Sequence, residues 1–149
     1  MWYVIQIMTG KEEMMREMIT RNLPSKMYED CFYIRRERIW RLNGEKVCHV
    51  ETMFPGYLFV TTEDPEAIYW KLREIPGLTK LLRTEESQFL SVSPEEQDFL
   101  EDLIDKDEEK IVRLSEVTLD EEKKILSAKG PLRKYVKQIV KKKIRLCYV

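Results

Sequence analysis

The sequence has few of the residues from which active sites and disulfide frameworks are built. Histidine occurs once, as His49, and the three cysteines, Cys31, Cys48 and Cys147, lie far apart. One histidine excludes a two-histidine metal site and an acid–base pair of histidines, and three scattered cysteines indicate neither a disulfide framework nor a cysteine-based metal site. Five glycines leave little room for a phosphate-binding loop, and no nucleophile elbow is present. We therefore predict a protein without enzymatic activity, metal or cofactor.

Long hydrophobic runs are also absent. No apolar stretch approaches the roughly 20 residues that span a bilayer, and the N-terminus lacks the basic and apolar regions of a secretion signal. Hydrophobic residues make up 43% of the chain and charged residues 36%, a balance typical of a folded, soluble protein. We expect a cytoplasmic monomer that makes no contact with membranes.

Charge is distributed unevenly, although the net charge is only −1. Residues 1–84 carry a net charge of +1, residues 85–122 a net charge of −12 and residues 123–149 a net charge of +10. The dense carboxylates favour a solvated face over a catalytic pair. Together with the charged run at 105–110, this pattern predicts a folded domain over 1–105, an acidic linker over 106–122 and a C-terminal segment over 123–149.

Apolar periodicity predicts an α+β domain. Residues 1–8 do not alternate cleanly, which indicates a central strand covered on both faces. Thr9 and Glu12 have the spacing of a capping box. The helix after them, about 11–23, has Met15, Ile19 and Leu23 on one stripe beside Met14 and Met18, and we predict that these methionines pack in the core. The other predicted elements are strands at 31–42, 45–50 and 57–61, an Asn43-Gly44 type I′ turn, an edge strand at 79–83 and helices at 65–74 and 93–104. The helix at 65–74 is predicted to begin at a capping Asp64 and to bury Ile68 and Leu72, and the last helix is predicted to begin in the same way at Ser93.

The stretch from Phe54 to Tyr57 forms a Pro-Gly corner that leads directly into an aromatic strand. Pro55 fixes its own φ angle, and Gly56 is free to adopt a dihedral that other residues resist. Tyr57 and Phe59 share one face of the strand. Two aromatic side chains at this spacing fit either a buried core or an exposed binding surface, and both interpretations remain open.

The order of these motifs resembles the N-terminal domain of the NusG family of transcription elongation factors. The similarity runs from Trp2 to about Ile104 and is greatest to the specialised antiterminators of the LoaP and RfaH type. It implies an antiparallel sheet flanked by helices and a function in suppressing pausing and termination. The motifs that carry it are Trp2-Tyr3-Val4-Ile5-Gln6, the Asn43-Gly44 hairpin, the Phe54-Pro55-Gly56-Tyr57 corner, the Pro65-led helix and Ile75-Pro76-Gly77-Leu78.

The resemblance also implies two sets of binding residues. A shallow apolar groove would hold the clamp helices, a coiled coil on the largest RNA polymerase subunit, through Gln6, Phe54, Tyr57 and Phe59. A second polymerase contact is expected at the second helix, where Tyr69 and Trp70 replace an RfaH-like histidine-threonine pattern. The nucleic-acid candidates, which would contact non-template DNA or a nascent RNA hairpin, are Lys11, Arg16, Arg21, Asn22, Arg35, Arg36, Arg38, Lys141, Lys142 and Lys143.

The C-terminal segment contains Lys129-Gly130-Pro131-Leu132, then Ile139-Val140 and the run from Ile144 to Val149. These residues resemble the opening strands of a KOW module, a small β-barrel that follows the N-terminal domain in this family. Lys137 replaces the expected glycine, and the sequence stops before the last two strands, so we predict a partial, strand-rich module. Leu132, Tyr135, Val136, Ile139 and Val140 also have helical spacing, and a helix is the second interpretation. Through such a module the family resemblance implies contact with the ribosome or a termination factor.

Other functions remain open at this point. The chain fits a housekeeping NusG-type elongation factor, and it also fits a stand-alone RNA-binding module, because arginines alternate with aromatic residues between Phe32 and Arg41. A solvated hairpin face gives the same alternation. A thiol enzyme that uses Cys48 and His49 is disfavoured, because adjacent residues of a strand point to opposite faces.

Overall fold

A computed structural model describes residues 1–75, 90–105 and 109–139, and beyond them the backbone of two short strands. In chain order the elements are β1 (Trp2–Gln6), α1 (Glu12–Asn22), a 3₁₀ turn (Ser25–Met27), β2 (Asp30–Phe32), β3 (Arg35–Leu42), β4 (Glu45–Thr52), β5 (Tyr57–Thr61), α2 (Pro65–Glu74), β6 (Leu90–Ser91), α3 (Pro94–Leu103), β7 (Ile111–Val112), β8 (Glu116–Leu119), β9 (Ile125–Lys129), a 3₁₀ helix (Pro131–Gln138), β10 (Lys141–Lys143) and β11 (Leu146–Tyr148). The predicted edge strand at 79–83 lies outside the described residues. In the described part of the chain, no helix is long and apolar enough to cross a membrane.

Within the described residues, the central sheet has four antiparallel strands in the order β2-β5-β1-β6. Helices α1 and α2 cover one face, where Met15, Ile19, Ile68 and Leu72 pack on Leu58 and other strand residues. Helix α3 covers the opposite face through Leu100, beside a cluster of aromatic side chains. Apolar residues on both sides of β1 confirm the prediction of a central strand, and the α+β class is confirmed.

Local end signals set the starts of α2 and α3. Asp64 accepts a hydrogen bond from the Ala67 amide at the start of α2, and Ser93 and Glu96 form a complete capping box at the start of α3. Both helix starts confirm the predictions, because caps of this kind satisfy backbone donors within a single turn.

The first helix begins differently from the prediction. Its cap residue is Lys11, with no side-chain cap bond, so the capping box of Thr9 and Glu12 is wrong. Glu12 is instead buried and accepts hydrogen bonds from the amides of Gly10 and Gly56. The predicted burial of Met14 is also wrong, since 47% of it is exposed.

The predicted strand at 31–42 is two strands that belong to different sheets. β2 pairs with β5, whereas β3 pairs with β4 in a long hairpin. The chain changes sheet at Ile34, which is fully buried and accepts a hydrogen bond from the Met53 amide at 2.8 Å. Asn43 and Gly44 both have positive φ angles, as a type I′ turn requires.

The range predicted as a linker, 106–122, contributes two strands. β7 runs parallel to β3, and β8 forms an antiparallel pair with β9. Together, these strands and β9 are consistent with the small KOW-like β module that the sequence predicts. Where residues 132–140 have helical spacing, the backbone forms a 3₁₀ helix at Pro131–Gln138 followed by the strand β10. The domain boundaries remain a prediction.

The C-terminal 3₁₀ helix is attached to α3 around one carboxylate. Lys134 Nζ lies 2.6 Å from Asp102 Oδ1, and the Tyr135 hydroxyl donates to Asp102 Oδ2 at 2.8 Å. The Tyr135 ring packs edge-on against Phe99, with 4.7 Å between ring centres. Partial burial and the Asp102 hydrogen bond both raise the pKa of Tyr135 above 10.0. The 3₁₀ helix Pro131–Gln138 is therefore docked on α3.

We expect Asp102→Ala to loosen this docking. The loss in stability should not exceed about 1 kcal/mol, because exposed ion pairs contribute little, but the pKa of Tyr135 should fall toward its ordinary value. NMR titration of the Tyr135 ring and amide shifts of residues 131–138 measure both effects. Glu101→Ala, a neighbouring exposed carboxylate on α3, is the control and should change neither. Identical Tyr135 titrations in both variants would contradict the docking role of Asp102.

Candidate binding surfaces

The corner between β4 and β5 is held rigidly by the start of the first helix. Gly56 accepts a hydrogen bond from the Ile7 amide at 2.9 Å, and its own amide donates to Glu12 Oε1 at 2.7 Å. Gly56 has a φ angle of +86°, and a Cβ at this position would lie 2.9 Å from the Thr9 hydroxyl oxygen. Only glycine fits both the dihedral and the space, so the direction in which Tyr57 enters β5 is fixed.

The side chains beside this corner form a small half-exposed surface, which we call the corner surface: Val4, Gln6, Met53, Phe54 and Tyr57. Gln6 lies directly opposite Tyr57 in the β1–β5 register, and its Nε2 donates to the Tyr57 hydroxyl at 3.0 Å. Val4, Met53 and Phe54 pack at the edge of the aromatic cluster under α3. The corner surface thus combines apolar side chains with one oriented polar pair.

Phe59 does not reach this surface. Its side chain is only 5% exposed and lies among Trp2, Phe32 and Phe54, with ring centres 5.8, 5.6 and 5.9 Å away. The prediction of Phe59 as a direct contact therefore needs correction. Strand alternation places Phe59 on the same face as Tyr57, but α3 covers that face at Phe59. Phe59 supports Phe54 from within the core.

Tyr69 and Trp70 belong to a different surface from the corner. They lie on α2, whose buried side packs on the opposite face of the sheet. Their rings are edge-on at 5.4 Å, the Arg73 guanidinium donates to the Tyr69 hydroxyl at 2.7 Å, and Trp70 is 56% exposed. The structure therefore separates the two predicted groups of polymerase contacts.

Three of the four polar candidates at α1 bond to residues of their own helix. Arg16 forms an ion pair with Glu13 at 2.5 Å, and Arg21 forms one with Glu17 at 3.0 Å. The Asn22 side chain donates to the Met18 carbonyl at 2.8 Å, and Lys11 is half-exposed at the helix start. Exposed pairs of this kind are weak, so they leave both arginines available to a phosphate.

The hairpin of β3 and β4, which we call the arm, gathers three of its polar side chains around one carboxylate. Glu51 lies 2.7 Å from Arg36, 3.2 Å from Arg38 and 3.1 Å from His49. The pKa of Glu51 is lowered from 4.5 to about 2, mainly by the hydrogen bonds from Arg36. The hydrogen bonds from His49 and Arg38 lower it further. The positive charges of Arg36 and Arg38 are therefore partly offset inside the arm.

The pKa of Glu51 makes this cluster testable. Because the folded-state pKa lies below 4.5, the stabilisation is present above about pH 4.5 and is lost as the pH falls through about 2. We expect Arg36→Gln to move the Glu51 midpoint upward, toward 4.5, in an NMR titration of its carboxyl group. Arg41→Gln is the control, because Arg41 lies on the other face of the arm. A wild-type midpoint already near 4.5 would contradict the cluster.

The other nucleic-acid candidates are more dispersed. Arg35 donates from Nη2 to the Glu109 carbonyl at 3.0 Å, and its guanidinium lies 6.0 Å from the centre of the Tyr33 ring. For Lys141, Lys142 and Lys143 the structure describes only a backbone strand, β10.

Two residues that organise these surfaces are missing from the sequence-based predictions. Glu12 fixes the corner through a contact 44 positions away along the chain, and Glu51 binds the arm arginines. The spacing of Glu12 from Thr9 pointed to the wrong partner. For Glu51 the only available signal was its place near the end of a strand opposite a run of arginines.

The features described above are surface features of a NusG-like α+β domain, and a comparison with known proteins identifies the family. Among the described residues, no cluster of histidine, cysteine, aspartate or glutamate could hold a metal ion, while a rigid apolar corner and a basic arm are both present. A family model described as "Transcription termination factor nusG" matches residues 1–101. The chain therefore belongs to the NusG family, whose members are non-enzymatic transcription factors that act on elongation and termination and bind RNA polymerase. No curated protein sequence gives a significant match.

Proposed function

We propose that this protein is a specialised antitermination factor of the LoaP and RfaH type. In this proposal the corner surface binds the clamp helices of RNA polymerase in the cytoplasm, and a nucleic-acid signal, a nascent RNA hairpin, recruits the factor. The observation that carries the proposal is the half-exposed Phe54–Tyr57 corner, locked by Gly56 and Glu12, in a chain of the NusG family.

The corner surface has the physical properties of a groove that receives a helix tip. Phe54 and Tyr57 supply apolar area that loses water on contact, and the bond from Gln6 holds the Tyr57 ring in place before binding. Preorganised aromatic anchors cost little side-chain entropy when a partner docks. By holding the clamp here and contacting the other side of the polymerase cleft, the factor would disfavour clamp opening and hairpin-stimulated release. No chemical step is needed.

Recruitment by nucleic acid is supported by the arm and α1. Arg16 and Arg21 are exposed on one helix, and Arg35, Arg36 and Arg38 lie along one strand. A folded RNA hairpin would be bound through its shape and phosphates, so its affinity should fall steeply with salt. The C-terminal lysines Lys141 to Lys143 are a further part of this proposed interface.

Run-through transcription on templates with and without candidate leader sequences tests the proposal. Antitermination that depends on the leader supports a specialised factor. An equal effect on all templates would indicate a housekeeping NusG-type factor instead. Failure to capture purified polymerase, with RNA binding retained, would indicate a stand-alone RNA-binding module.

A further inference from the structure

The tip of the arm exposes a large aromatic side chain. Trp40 is 53% exposed, and Leu42 beside the turn is 64% exposed. The indole is held by its neighbours on the same face, since the Arg38 guanidinium lies 5.6 Å from the ring centre and the His49 ring packs edge-on at 4.7 Å. Trp40 is therefore oriented by contacts although more than half of its surface is open to solvent.

The same tip carries two basic side chains, Arg41 and Lys46, and one acidic side chain, Glu45. Arg41 lies directly opposite Lys46 in the β3–β4 register, and like charges at directly opposed positions destabilise a hairpin. Among the described residues, neither side chain has an ion-pair partner, whereas Arg36 and Arg38 share Glu51. The tip thus keeps an arrangement that reduces its stability and that would favour a polyanion.

We propose that the tip of the arm is a stacking site for an unpaired nucleobase of single-stranded nucleic acid. Trp40 is the platform on one face of the arm, and Arg41 and Lys46, which strand alternation places on the other face, bind phosphates of the nucleic acid where it passes around the tip. A paired duplex hides its base faces, whereas an unpaired base presents a flat surface to an indole. This assignment rests on the nucleic-acid recruitment in the proposed function. With this site, the principal nucleic-acid contact of the arm is not the pair of arginines bound to Glu51. It is the set of three residues nearer the turn.

Fluorescence anisotropy with the full chain tests the site. The probes are a labelled single-stranded RNA of mixed sequence, about 12 nucleotides long to match the site size of single-strand binders, the corresponding DNA, and a blunt RNA duplex. Wild-type protein should bind the single strands more tightly than the duplex. Trp40→Ala should weaken single-strand binding roughly 5- to 150-fold, since one stacked base contributes about 1–3 kcal/mol.

Two matched variants separate stacking from general loss of apolar surface. Trp40→Phe keeps an aromatic face and should retain most of the affinity. Leu126→Ala removes a side chain that is 63% exposed on β9 and should leave binding unchanged. Tryptophan fluorescence gives a second readout, because the wild type should be quenched by the single strand and Trp40→Phe should lack that quenching.

Salt dependence tests the phosphate contacts separately. Arg41→Gln and Lys46→Gln should each reduce the slope of log affinity against log salt by about 0.7, the value per phosphate contact for single strands. The loss should be similar for all probe sequences. An unchanged slope in both variants would overturn their assigned role.

The outcomes also distinguish this site from the proposed function. Equal binding by wild type and Trp40→Ala, without quenching, would overturn the stacking site alone. A wild type that binds none of the probes would also overturn the stacking site, whereas recruitment by a folded RNA hairpin is tested separately by the leader-dependent transcription assay. Loss of polymerase capture by Trp40→Ala with RNA binding unchanged would make the tip a protein contact and overturn the inference. The ratio of the affinities for RNA and DNA identifies whether the bound single strand is RNA or DNA.

Discussion

Tyr57→Ala should abolish binding of RNA polymerase while the domain stays folded. The Tyr57 ring is half-exposed at a fixed corner, so its removal takes away an aromatic anchor without opening a cavity inside the core. Central anchors of this kind contribute about 2 kcal/mol or more to an interface, which corresponds to a loss of affinity of roughly 30-fold or greater. Capture of purified polymerase, together with thermal unfolding, measures both parts of this prediction.

Two further variants separate the role of the Tyr57 ring from that of its hydroxyl and from that of a buried core residue. Tyr57→Phe keeps the ring and loses only the hydrogen bond from Gln6, so it should retain most of the binding. Phe59→Ala removes a buried ring from the aromatic cluster and should destabilise the whole domain by about 3–5 kcal/mol. Full polymerase binding by Tyr57→Ala would remove the central claim. If Tyr57→Ala unfolded like Phe59→Ala, Tyr57 would be a core residue.

Glu12→Ala should destabilise the first domain substantially. The carboxylate is 5% exposed and accepts from the amides of Gly10 and Gly56 at 3.1 and 2.7 Å. Its removal leaves the buried Gly56 amide without an acceptor, which costs about 1–3 kcal/mol, whereas Gly10 is exposed and its amide can bond to water. We expect a loss of about 1–3 kcal/mol, a substantial part of the 5–15 kcal/mol typical of a folded domain. Urea unfolding measures it.

Two control variants accompany Glu12→Ala: one changes an exposed glutamate of the same helix, and the other is a conservative change at Glu12. Glu17→Ala removes an exposed glutamate of the same helix, paired only with Arg21, and should cost less than about 1 kcal/mol. Glu12→Gln keeps an acceptor oxygen and should fall between the two. Because Glu12 also fixes the corner, Glu12→Ala should weaken polymerase capture even under conditions in which the variant is still folded, at urea concentrations below its unfolding midpoint. Equal stability of the Glu12→Ala and Glu17→Ala variants would contradict this role.

Features decided within one or two turns of chain could be predicted from the sequence. The caps at Asp64 and Ser93, the Asn43-Gly44 turn and the buried pair Ile68 and Leu72 agree with the structure. Each depends on residues that are close along the chain, where dihedral preferences and hydrophobic spacing act directly. The order of these local motifs was also sufficient to indicate the family.

Features decided between distant segments could not be predicted in the same way. Alternation correctly placed Phe59 and Tyr57 on one face of β5, but only the packing of α3 buries the first and leaves the second half-exposed. The break at Ile34 arises because β2 and β3 pair with different partners. Neither the partner strand nor the covering helix is encoded in the spacing of the strand itself.

The sequence by itself determined the family, the helix caps, the hairpin turn and the rigid Pro-Gly corner, since each depends on neighbouring residues. Only the tertiary structure decided which aromatic side chain reaches solvent and which arginines have their charge offset. It also decided that Glu12 holds Gly56 instead of capping its own helix through Thr9. The physical reason is that the burial and pairing of a side chain depend on which distant segment packs against it. Local sequence spacing does not specify that segment.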